Sequence, residues 1–138
     1  MNRRMERVLA LAMNGIVVLS ACRAAAPRAP ETMALRIGEE RKLTGSPVNL
    51  SIVRLVEDSR CPVAATCVWA GNAAIMVRVH TGTGMSTTYT LNTTTPPTSI
   101  ATLGFEFRLD SLVRGPAPSA STASGPYLVY VTVAPEKP

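Results

Sequence analysis

Apolar and polar positions alternate along most of this chain with the two-residue period of half-buried strands. The cleanest stretch sets Phe105, Phe107 and Leu109 against Glu106, Arg108 and Asp110. Successive side chains of a strand point to opposite faces, so this stretch has one apolar face that needs cover. Across residues 73–80, Ile75, Val77 and Val79 alternate with Met76, Arg78 and His80. Gly82-Thr83-Gly84 then signals a turn, and residues 85–91 return with Tyr89 and Leu91 in step, which predicts a hairpin. Met33, Leu35 and Ile37 alternate with Ala34 and Arg36 ahead of a turn at Gly38-Glu39-Glu40; a short helix is the alternative there, because Glu, Arg and Lys favour it. Residues 49–56 read as a mostly apolar strand and residues 127–133, rich in Tyr, Val and Thr, as the last one. Gly45-Ser46-Pro47, the polar run 92–99 with Pro96-Pro97, and the Pro/Ser/Ala-rich run 115–125 separate these segments. About six or seven short strands with turn signals between them predict one all-β domain over residues 33–138, an antiparallel sandwich or small barrel.

The first 21 residues break this pattern. Arg3, Arg4 and Arg7 precede an apolar run over residues 8–19, interrupted by Asn14 and Gly15, and Leu19-Ser20-Ala21-Cys22 follows. This is the plan of an export signal, and the run is too short to span a bilayer as a permanent anchor. The last four residues match the lipobox of bacterial lipoproteins. Cys22 is therefore expected to be the lipidated first residue of the mature protein, the alternative being a simple secretory signal cut at a later alanine. Several acyl chains on one residue anchor stably where a single chain is marginal. Residues 22–32, with small side chains, Pro27 and Pro30, read as a flexible tether. Arg23 after the cysteine favours, in a Gram-negative cell, the outer membrane facing the periplasm.

Residues 56–73, V-E-D-S-R-C-P-V-A-A-T-C-V-W-A-G-N-A, hold the only Trp and two of the three cysteines. The spacing of Cys61 and Cys67 closes a small loop around Pro62, Ala64, Ala65 and Thr66, for which a disulfide is the natural inference. With Cys22 committed to lipid, no odd thiol remains. Trp69 shares odd parity with Cys67, so in an extended segment it would pack beside the sulfur. Gly71 marks a bulge or a close backbone approach, and a local Asp58–Arg60 pair leads into the first cysteine.

The pattern D-S-R-C-P-x4-C-x-W-x-G-N-A resembles one found in small bacterial envelope proteins and lipoproteins of unknown function. The resemblance is sharp over residues 50–79 and looser in the flanks, including the final Tyr-containing strand. It implies a secreted β domain with a structural disulfide and implies no substrate.

Charge narrows the partners. The whole chain carries +5; loss of residues 1–21 removes three Arg and one Glu and leaves +3. The remaining cations are scattered among Glu39, Glu40, Glu57, Asp58, Glu106 and Asp110, with no basic block interleaved with aromatics, so nucleic acid is not an expected partner. His80 is the sole imidazole, and two cysteines with one histidine do not make a metal set. There is no G-x-S-x-G, phosphate-cradling glycine loop or H-E-x-x-H, and the neighbouring carboxylates Glu39-Glu40 and Glu57-Asp58 point opposite ways on a strand. We expect neither enzyme activity nor a cofactor. The chemistry that is concentrated lies in Asp58, Arg60, Trp69 and Asn72, a charge pair, an aromatic and an amide within one constrained loop, which forms a candidate interaction surface. A purely structural loop would instead bury Trp69 against the disulfide. The expected role is a lipid-anchored envelope lipoprotein, either a structural module or one that binds a protein or polymer; a small-molecule or ion-binding periplasmic lipoprotein is the alternative.

Overall fold

The structure, a computed structural model, describes residues 28–62, 64–82, 84–115 and 127–137. Cys22, the expected signal segment and most of the run 115–125 lie outside the described residues.

Among the described residues the chain forms β1 (Glu31–Arg36), β2 (Glu40–Lys42), β3 (Val48–Asp58), β4 (Ala73–Thr81), β5 (Ser86–Asn92), β6 (Ser99–Thr102), β7 (Phe105–Arg114) and β8 (Tyr127–Pro135). They build two antiparallel four-stranded sheets, ordered β1-β8-β7-β6 and β2-β3-β4-β5. The expected all-β sandwich is the observed fold. Strand rather than helix forms over Met33, Leu35 and their neighbours, because Met33 and Leu35 bury one face of β1 against the core. The strand begins at Glu31, with Thr32 opposite Thr132, so the end of the expected tether belongs to the sheet. β2 and β6 escape a reading of hydrophobic period because they are three and four residues long and contain little apolar surface.

The sheets close on a core of Met33, Leu35, Leu50, Ile52, Ile75, Val77, Val79, Leu91, Phe107, Val129 and Val131, all essentially inaccessible to water. At about 25 cal/mol per Å² of apolar surface removed, burial of this kind is the dominant favourable term in folding.

Two strands change parity partway along. In β3, register shifts lie between Ile52 and Arg54 and between Leu55 and Glu57; in β7 one lies between Leu109 and Ser111. Each bulge inserts one residue and moves the side chains beyond it to the other face. The inward series of β3 therefore runs Leu50, Ile52, Leu55, Asp58, and that of β7 runs Phe107, Leu109, Leu112, Arg114. The two shifts of β3 cancel by Asp58, which keeps the facing of Leu50 and Ile52, while the single shift of β7 turns Arg114 inward, so a carboxylate and a guanidinium meet at one end of the sandwich.

That end is one of two poles. β1 begins at Glu31 opposite Val133, while Tyr127, at the other end of β8, lies opposite Arg114. From Val133 to Tyr127 along β8 is roughly 20 Å at about 3.3 Å per residue. Glu31 reaches Thr44 at the first pole, and the cysteine loop stands at the second.

Candidate functional site: a clamped, disulfide-closed loop at one pole

The loop between β3 and β4 is closed at its base by a continuation of the strand ladder. Asp58 pairs with Ala73, and beyond them Ser59 N–H donates to the Asn72 carbonyl at 2.8 Å while Asn72 N–H donates to Ser59 Oγ at 3.0 Å. Gly71, at φ +66°, passes so close to the opposite backbone that a Cβ there would lie 2.3 Å from the Ser59 carbonyl oxygen and 2.6 Å from Arg60 Cα. This is the close approach expected at that glycine. The tip is tied by the Cys61–Cys67 disulfide, S–S 2.17 Å and Cα–Cα 5.8 Å, with a turn in which Ala65 N–H donates to the Pro62 carbonyl.

Asp58 is the hub beneath the loop. Its side chain is only 6 % exposed and accepts a two-pronged contact from Arg60, Nε to Oδ1 at 2.8 Å and Nη2 to Oδ2 at 3.0 Å. Arg114 Nη2 donates to Oδ2 at 2.9 Å and the Tyr127 hydroxyl donates to the same oxygen at 3.1 Å. Arg114 also donates from Nε to the Tyr127 hydroxyl at 3.1 Å and lies over the Tyr127 ring, 5.5 Å from its centroid. Arg60 Nη1 donates to the Leu112 carbonyl. One carboxylate thus fastens the loop, through Arg60, to β7 and β8 of the facing sheet. The Arg60 hydrogen bonds foremost, helped by Tyr127 and Arg114, hold the Asp58 carboxyl well below the usual carboxylate range despite the opposing effect of its burial.

Of the four candidate surface residues, the structure brings Asp58 and Arg60 together as the expected pair and gives them two partners that the sequence did not reveal, Arg114 and Tyr127. Plain alternation through Phe105, Phe107 and Leu109 puts Arg114 on the outer face; the bulge after Leu109 reverses this. Asn72 is committed internally: its Nδ2 donates to Asn92 Oδ1 at 2.9 Å and its Oδ1 accepts from Thr94 N–H at 3.2 Å. Of the two expectations for Trp69, exposed in an interaction surface or buried against the disulfide, the second is not met. Residues 68 and 69 bend instead of extending, so strand parity does not apply to them, and Trp69 is 64 % exposed rather than buried. Val68 beside it is 94 % exposed. Next to the loop lies an open groove of ≈ 360 Å³ between Cys61 and Pro62 on one side and Leu112 and Val113 on the other, with Arg60 and Arg114 along it.

His80 pairs with Glu40 through Nε2 at 2.9 Å, on the outer face of the second sheet and far along the strand from the loop. Among the described residues no group of three or more His, Cys, Asp or Glu is placed to hold a metal ion, and no helix is long and apolar enough to cross a membrane.

Opening the Cys61–Cys67 bridge, by reduction or by replacing both cysteines with alanine, is expected to cost about 2.4 kcal/mol from the entropy of so short a closed loop. Thermal unfolding with and without reductant checks this, and an unchanged midpoint would contradict a structural role for the bridge.

The architecture defines a small β-sandwich whose distinguishing feature is a clamped, disulfide-closed loop at one pole. No family model, no curated protein and no solved structure matches this chain.

Proposed function

We propose that this protein is a lipid-anchored lipoprotein of the bacterial cell envelope, held through Cys22 in the outer membrane facing the periplasm, whose cysteine loop binds an envelope protein or polymer. The observation that carries this reading is the presentation of Val68 and Trp69 to solvent on a loop fixed three ways, by the disulfide, by the Ser59–Asn72 ladder and by the Asp58 clamp. A large rigid aromatic offered without an ordering cost is the kind of residue that anchors interfaces. Its fixed frame supports recognition rather than stabilisation, since a loop built for stability alone would bury its Trp. A tether ending at Glu31 would attach the domain at one pole and leave the Trp69 pole directed away from the membrane. The lipobox at Leu19-Ser20-Ala21-Cys22 and the resemblance of the loop to envelope proteins support the address. The packed core, with Phe107, Ile52, Val77 and Val129 wholly buried between the sheets, weighs against a ligand pocket there.

In-cell photo-crosslinking from a probe at Val68 tests the loop. One dominant envelope protein or polymer should be captured, and Trp69→Ala should reduce the yield about ten-fold or more while leaving the unfolding midpoint unchanged, because the side chain is exposed. A probe that captures nothing specific would sink the interaction reading. Cys22→Ala should release the protein to the soluble fraction; continued membrane attachment would contradict the anchor.

A further inference from the structure

Edge strands present unpaired backbone donors and acceptors, and natural proteins blunt them with charge, proline, bulges or brevity. Three of the four edges here are treated in that way. β2 is three residues long and wholly charged, Glu40-Arg41-Lys42. β6 has four residues and follows Pro96-Pro97. β1 begins and ends on charged residues, Glu31 and Arg36, and the Arg36 N–H is capped by the Glu39 carboxylate at 2.9 Å.

β5 is different. Its seven residues, Ser-Thr-Thr-Tyr-Thr-Leu-Asn, contain no charge and no proline, and its pairing with β4 has no register shift. It pairs with β4 on one side and, among the described residues, with no strand on the other. Which backbone groups face that open side follows from two bonds. Thr81 N–H donates to the Met85 carbonyl, so Met85 and alternate residues after it address β4; Asn92 N–H donates to the Pro97 carbonyl and so points away. Between them Ser86, Thr88 and Thr90 turn their N–H and C=O outward. The side chains of residues 85–88 are exposed, and Tyr89 is held inward by its hydroxyl, which donates to Thr102 Oγ1 at 3.1 Å.

We propose that the chain self-associates through this edge, β5 of one copy pairing antiparallel with β5 of a second about a twofold axis at Thr88. The β2-β3-β4-β5 sheets of the two copies then become one continuous sheet. A second copy fits because the strand is complementary to itself. About Thr88, Ser86 meets Thr90 of the second copy and Thr88 meets Thr88, and hydroxyl pairs of this kind across strands are favourable. No like charges meet. The nearest cation, Arg78, lies one strand inward opposite Thr88, which sets the two copies of Arg78 about three strand spacings, roughly 14 Å, apart. That exceeds the screening length of about 8 Å at physiological salt.

Cysteine substitution in the full-length protein tests the register as well as the association. A hydrogen-bonded antiparallel pair brings its Cα atoms to about 5.5 Å, within disulfide reach, so T88C should give a covalent dimer under oxidising conditions. Thr87 would lie opposite Tyr89 of the second copy, with its own counterpart displaced by two residues and beyond the roughly 7 Å limit. T87C should therefore crosslink at least about ten-fold less. T88K, a surface change that sets two like charges directly opposite each other only in the pair, should lower the dimer fraction of the full-length protein in sedimentation about ten-fold without shifting the unfolding midpoint measured at concentrations where the wild type is monomeric. Equal crosslinking at the two positions, or a full-length protein that stays monomeric at every concentration together with no T88C dimer, would overturn the proposal. So would capture of the T88C thiol by a different protein in place of a second copy, which would assign the edge to an extended peptide instead. All of these outcomes are independent of whether the cysteine loop binds a partner.

Discussion

Replacing Gly71 with alanine is expected to destabilise the domain by about 3 kcal/mol, lowering the unfolding midpoint by more than about 10 °C for a domain of this size. Two costs coincide. The residue sits at φ +66°, where an L side chain is strained, and the added Cβ would stand 2.3 Å from the Ser59 carbonyl oxygen and 2.6 Å from Arg60 Cα, both main-chain atoms. A flexible side chain can move aside cheaply, but the opposing backbone here is pinned by the Ser59–Asn72 bonds and by the Arg60–Asp58 contact. Relief requires the base of the loop to open. Gly82→Ala provides the control, since a Cβ at that position meets nothing within 4 Å and its φ is ordinary; it should be neutral within about 0.5 kcal/mol. Calorimetry of the two variants separates them, and a Gly71→Ala protein as stable as the control would refute the close packing of the loop base.

The second large effect is expected at Asp58. Asp58→Asn should cost about 3 kcal/mol, because two guanidiniums and a tyrosine hydroxyl lose the carboxylate on which they converge. We place it at the lower end of the range for broken buried pairs because Arg114 is 60 % exposed and solvent takes up part of the loss. The dependence on pH has a definite sign. A carboxyl whose value in the folded state lies below its unfolded value of about 3.9 stabilises the fold at every pH above that value and loses this contribution as pH falls through the folded one. Since the Asp58 carboxyl is held well below the ordinary range, its contribution should stay constant from pH 7 to about 5 and fall away below about 4. Asp58→Asn should therefore lower the midpoint at neutral pH and flatten its decline in acid. A variant that declined in acid as steeply as the wild type would show that other carboxyls govern that limb.

These two residues also show how far the chain can be read without coordinates. The carboxylate of Asp58 and the guanidinium of Arg60 are two residues apart, and local geometry alone makes their contact foreseeable. Gly71 was legible for a similar reason, since an isolated glycine beside a strand often marks close backbone passage. Arg114 and Tyr127 were not foreseeable as partners of Asp58. They are 56 and 69 residues away, and β7 reads by period as a strand with Arg114 facing out. A bulge leaves no mark in the hydrophobic pattern when the residue it inserts is as ordinary as Asp110. Trp69 shows a different limit: strand parity places it beside Cys67 only in an extended segment, and residues 68 and 69 bend, so of its two readings the sequence alone does not choose the exposed one.

The alternating pattern by itself determined the β class, the β4–β5 hairpin, the amphipathic β7 and the closing β8, because each is written in side chains within about twenty residues of one another. The spacing of Cys61 and Cys67 likewise determined the bridge, a local closure over six positions of chain. Only the tertiary structure decided which strands are neighbours, that the register shift of β7 turns Arg114 into a clamp with Asp58, that Asn72 is spent inside the loop, and that β5 is left as an open, uncharged edge among the described residues. The physical reason is common to all four. Strand order and side-chain facing are settled by which apolar faces can be buried together, and that is a property of segments distant in sequence rather than of any one of them.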